Sequence, residues 1–160
     1  MEYVNKLLKK EGASFSFTMK SKKFGIDVLD VGDLESIEVG EHPNIRTLVN
    51  RMDIAYNEKD LTNVLHSSAS IFETMAKDII GIPSIQNQTL KSFFDRYRHD
   101  SKLPDEILNY ILSTYEERNS EPMAGHGGLG APNITKEKAI ILIEMTKAFI
   151  KIEYRLRTER

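Results

Sequence analysis

A chain of 160 residues without a single cysteine can bury one sizeable core, but it can hold no disulfide framework, thiolate nucleophile, iron–sulfur cluster or cysteine-ligated zinc. Its composition, 40% hydrophobic and 29% charged, is that of a globular domain, and 22 basic against 24 acidic residues give no global field for attracting nucleic acid. No apolar run approaches the roughly 20 residues of a membrane span, and Met1-Glu2-Tyr3-Val4-Asn5 does not begin a secretory leader, so no membrane partner and a cytoplasmic location are expected.

Val4, Leu7 and Leu8 predict a short amphipathic helix that Gly12 would end. The alternation in residues 13–18, and more loosely in 24–29, predicts a small β-hairpin connected through the polar Met19–Lys23 segment. From Pro43 the apolar period changes from two to about 3.6. Ile45, Leu48, Val49, Met52 and Ala55 predict a helix over 44–56, and Asn57 or Asp60 caps the next. That second helix carries Leu61, Val64, Leu65, Ser68, Phe72, Met75 and Ile79 on one side and stops at Gly81-Ile82-Pro83. A shorter helix follows with Leu90, Phe93, Phe94 and Tyr97, then one with Pro104 in its first turn and a core face of Ile107, Leu108, Ile111, Leu112 and Tyr115. After a glycine- and proline-rich stretch from Asn119 to Pro132, Thr135 caps a last helix of about 24 residues. Its two apolar faces predict burial within the bundle or against a second subunit. The fold class expected is mainly α, a bundle over 43–160 with the small helix and hairpin of 1–42 appended.

His42, His66, His99 and His126 show no metal-ligand spacing, and no acidic cluster forms a calcium or magnesium loop, so neither a metal nor a cofactor is expected. The glycines around His126 follow no strand and precede no Gly-Lys-Ser/Thr, which removes the Walker and Rossmann readings. What remains is Arg118-Asn119 at the end of one helix and His126 on a glycine-rich loop, with seven residues between Arg118 and His126. A guanidinium is a planar fork for phosphate oxygens, and an imidazole moves protons near neutral pH. Together with an amide they suit phosphodiester chemistry; the plainer alternative is a helix end where Arg118 meets terminal carbonyls, Asn119 turns the chain and His126 packs. On the second helix His66, Ser70, Glu73 and Lys77 share one stripe at i+4, i+3 and i+4 steps, a polar seam that faces either solvent or a cleft.

The segment from about 60 to 157 resembles the HEPN superfamily, and more closely the C-terminal domain of abortive-infection proteins. The resemblance rests on Ser67–Ile79 with its Glu73 and Lys77, on Thr89-Leu90-Lys91 with the Pro104–Tyr115 helix, on Arg118-Asn119 with His126-Gly127, and on the Thr135–Tyr154 helix. It implies a four- or five-helix bundle that dimerises. Arg118, Asn119 and His126 would then be catalytic, and Glu73, Lys77 and His66 a supporting polar shell. It further implies a metal-independent endoribonuclease of phage defence or a toxin–antitoxin pair, with RNA as substrate and an antitoxin or larger defence complex as partner. The Arg118–His126 spacer is longer than the family's usual one and contains Pro122, which keeps open an inactive regulatory module that binds RNA, a nucleotide or a protein.

Overall fold

In the computed structural model, the residues described are 15–20, 23–28, 40–120 and 134–159. The first predicted helix, Gly12 and His126 lie outside them. The chain divides into two compact units, Met1–Gly40 and Glu41–Arg160.

In the first unit β1 (Phe15–Lys20) pairs antiparallel with β2 (Lys23–Val28), from Phe15 opposite Val28 to Lys20 opposite Lys23. The ladder runs closer to the turn than the alternation predicted. Met19, Lys20 and Lys23, expected in the connection, are paired, which leaves only residues 21–22 between the strands.

Among the described residues the second unit has five helices, α1 (Pro43–Asn57), α2 (Leu61–Ile80), α3 (Leu90–Asp100), α4 (Asp105–Ser120) and α5 (Lys136–Thr158), and one 3-10 turn at Pro83–Ile85. Each boundary has a local cause. His42 Nδ1 accepts the Asn44 amide ahead of Pro43, at 3.2 Å, and Asp60 accepts the Asn63 amide at the start of α2, also at 3.2 Å. Gly81 ends α2 at φ 66°, a left-handed value that suits glycine. The Thr135 hydroxyl takes the Lys138 amide at the start of α5. Pro104 stands one residue before α4 rather than within its first turn, and its carbonyl accepts from Ile107 and Leu108 at 3.0 and 3.1 Å. The missing proline N–H costs nothing there.

The helix enclosed by the others is α2. Val64, Leu65, Ala69, Ile71, Phe72, Met75 and Ala76 are all fully buried, and α2 packs against α1, α3, α4 and α5. Ser67, Ser68, Ala69 and Ala76 are small enough to let neighbouring backbones approach, and the buried Ser68 hydroxyl meets that of Thr146 on α5 at 2.7 Å. Aromatic side chains fill the rest: Phe72 lies 6.3 Å from Phe149, which Tyr110 meets edge-on at 5.6 Å. By contrast α5, apolar on two faces by its sequence, leaves Ile141 54% exposed, with Ile140, Ile152 and Leu156 also exposed.

Four contacts fix the directions of the helices. Ser68 meets Thr146 and Asp78 meets the Tyr154 hydroxyl at 2.6 Å, so α5 runs parallel to α2. Glu117 meets Lys138 while Tyr110 meets Phe149, so α4 runs antiparallel to α5. The C-terminal ends of α1 and α4 and the N-terminal ends of α2 and α5 therefore share one end of the bundle.

At the other end a fully buried carboxylate pins the connection between α3 and α4. Glu153 on α5 accepts from the Ser101 hydroxyl at 2.5 Å, the Tyr97 hydroxyl at 3.3 Å and the Lys102 amide at 3.4 Å. Burial, and then the Glu153 charge, hold the Tyr97 phenol well above its ordinary value. Replacing Glu153 with leucine strands three donors, and the expected loss of unfolding free energy is about 3 kcal/mol, against about 1 kcal/mol for Glu153→Gln. Urea denaturation of the two variants checks this; equal midpoints for both and the parent would refute the pinning role.

Candidate functional site

Arg118 sits in the last turn of α4, half-buried, with its guanidinium 4.5 Å from the centre of the Tyr115 ring. The i, i+3 spacing of a helix makes the two neighbours, and the ring face attracts the cation. Among the described residues Arg118 makes no ion pair, so its fork of donors is held by stacking rather than consumed by a carboxylate. Asn119, the next residue, is still helical and exposed.

Tyr115 is itself fixed from below. It is 3% exposed, and its hydroxyl donates to the Glu73 carboxylate on α2. Burial and this bond raise the Tyr115 phenol above its ordinary value. Glu73 also accepts from Lys77 Nζ at 2.8 Å and from the Leu90 amide at 3.3 Å. Thr89, at the cap of α3, makes no side-chain bond to that helix, so the carboxylate of a neighbouring helix satisfies an amide of its first turn. Lys77 continues the chain of contacts, donating to the Gln86 carbonyl at 3.0 Å and standing 5.9 Å over the Phe93 ring.

The structure thus joins Glu73 and Lys77, and connects them to Arg118 through Tyr115. It separates His66 from them. His66 lines a groove of about 430 Å³ between α1 and α2, together with Arg51, Glu58, Ser67 and Ser70. The seam expected on α2 is divided between two neighbours: its N-terminal half faces α1, while Glu73 and Lys77 serve the start of α3 and the α4 aromatic ring. Tyr115 was read from sequence only as a core residue. Its position three residues before Arg118 was the available signal for its second role.

At the same end of the molecule, Lys138 on α5 pairs with Glu117, and Lys91 on α3 pairs with Glu116 at 2.8 Å. These contacts fasten both sides of the α4 terminus from which residues 121–133 depart. Among the described residues no three His, Asp or Glu side chains gather as a metal-binding group, and no helix is long and apolar enough to cross a membrane. No protein-family model, curated protein or solved structure matches the chain.

Burial pushes the Glu73 carboxyl upward, but hydrogen bonds from Lys77 and Tyr115 and the Lys77 charge outweigh it, leaving the group below its ordinary 4.5. A depressed folded-state value stabilises the protein above the unfolded value, and that contribution disappears as pH falls through the folded one. Glu73→Gln should therefore reduce stability at pH 7 and flatten the loss of stability below about pH 4.5. Thermal melts of parent and variant from pH 3 to pH 7 test it, and parallel curves would show that the carboxylate charge carries no weight.

Proposed function

We propose that the chain is a HEPN-like endoribonuclease that cleaves RNA without a metal, working as a dimer in the cytoplasm in phage defence or beside an antitoxin. The observation that carries this reading is the Arg118 guanidinium, without an ion pair among the described residues, presented on the Tyr115 ring at a helix end and braced through Glu73. The family resemblance of Arg118-Asn119 and His126-Gly127 supports it.

In such a reaction the ribose 2′-oxygen attacks the adjacent phosphorus and the bond to the 5′-oxygen breaks, giving a 2′,3′-cyclic phosphate and a 5′-hydroxyl. One group must accept the 2′-hydroxyl proton and another must give a proton to the leaving 5′-oxygen. His126 takes one of these roles, and the same histidine of a second copy takes the other. Arg118 holds the non-bridging oxygens, where charge grows in the transition state, with two parallel donors. Asn119 orients the ribose. Glu73 and Lys77 act at one remove by keeping Tyr115 beneath the guanidinium.

A second reading is a non-catalytic module that binds RNA, a nucleotide or a protein, favoured by the seven-residue spacer with Pro122. The two readings separate in one experiment. For the enzyme, purified protein cleaves single-stranded RNA, and Arg118→Ala or His126→Ala each lowers the rate by about 10²–10⁴-fold with an unchanged helical CD spectrum. Saturable RNA binding without turnover, weakened by Arg118→Ala, would establish the second reading instead.

A further inference from the structure

The end of the bundle that carries Arg118 also holds a second concave feature, of about 350 Å³, lined by Tyr56, Asn57, Lys59, Leu61 and Lys136. Its volume is within the roughly 300–1,000 Å³ of small-ligand pockets. Among the described residues the lining contains one aromatic ring, one amide, one apolar side chain and two ammonium groups, and no carboxylate. Among the described residues neither Lys59 nor Lys136 forms an ion pair. Glu58 and Asp60 flank Lys59 and Glu137 follows Lys136 in sequence, yet none of the three lines the pocket, and Asp60 is engaged by Asn63 through its amide at 3.2 Å and its side chain at 2.7 Å.

Lys59 occupies a costly position. The turn after α1 is a Schellman motif, with the Lys59 amide on the Tyr56 carbonyl at 3.0 Å and the Asp60 amide on the Ala55 carbonyl at 2.8 Å. Its left-handed residue is Lys59, at φ 62°, the one non-glycine with positive φ among the described residues. Glycine adopts that conformation without strain, as Gly81 does at the end of α2. A lysine there is destabilising relative to glycine, yet it places a second cation at the rim beside Tyr56.

We propose that this pocket is a nucleotide subsite for single-stranded RNA: a base stacks on Tyr56, the Asn57 amide meets the base edge, and Lys59 and Lys136 hold the flanking phosphates. An aromatic platform beside a short cationic track is the arrangement by which proteins hold single strands without strict sequence preference. The proposal rests on the RNA reading of the Arg118 site and extends it, since both features open at the same end of the bundle and one strand would engage both.

The test uses the full chain and a fluorescent 2′-O-methylated oligouridylate, which binds but cannot be cleaved, with uridine monophosphate as competitor. Tyr56→Leu is expected to weaken binding about tenfold. Lys59→Gly and Lys136→Gln should each weaken it severalfold and make the salt dependence of the affinity shallower by about 0.7 in log–log slope. Lys59→Gly should do so with an unchanged or raised melting temperature, which separates ligand contact from folding. If all three variants bind like the parent while Arg118→Ala does not, the subsite is refuted and the RNA reading stands. If the parent binds no oligonucleotide, both fall. If the mononucleotide competes as strongly as the oligonucleotide itself, the RNA assignment is overturned in favour of a free nucleotide.

Discussion

The Glu73 carboxylate is the joint on which the candidate site depends. It lies on α2, the helix enclosed by its neighbours, and receives the Lys77 ammonium from its own helix, an amide from the start of α3 and the Tyr115 hydroxyl from α4. A charged acceptor with three kinds of donor is worth its desolvation only when all are in place. The consequence reaches Arg118, whose position follows from the ring that Glu73 holds. A long cationic side chain at a helix end would otherwise have many rotamers to lose before it could grip a phosphate.

The bundle around this joint explains why the joint can exist. Small residues on α2 let helices approach from several sides, and the rings of Phe72, Phe149 and Tyr110 fill the space between α2, α4 and α5. Antiparallel α4 and parallel α5 then bring the Arg118 turn, the α1–α2 turn and the α5 start to one end. The candidate site and the fastening of the scaffold lie apart: Glu153 locks the opposite end, at the α3–α4 connection.

Much of the scaffold was legible in the residue pattern. The 3.6 period, the Asp60 and Thr135 caps and the Gly81 stop put α1, α2 and α5 within a residue or two and located α3 and α4 by their apolar faces, because local rules dominate there. The centre of the bundle was not legible. The two-faced apolar pattern of α5 left that helix either within the bundle or against a second subunit, whereas α2, with serines and alanines in its sequence, is the enclosed one. Periodicity reports which faces are apolar, but small residues decide how closely helices approach, and that depends on all of them together. The site was half legible for a similar reason. The helical spacing correctly put Glu73 and Lys77 side by side, but it could not show that His66 on the same stripe would face α1 instead. Nor could it show that Tyr115 would do double duty as core and as platform.

We propose that Arg118, on its Tyr115 platform, shares a pocket with His126. Nuclear Overhauser spectroscopy on protein with labelled histidine and arginine side chains addresses it directly. Cross-peaks from the His126 ring to the Arg118 side chain or the Tyr115 ring are the predicted result. A His126 ring with no cross-peak to either residue, in protein whose other helix contacts are intact, would contradict the account.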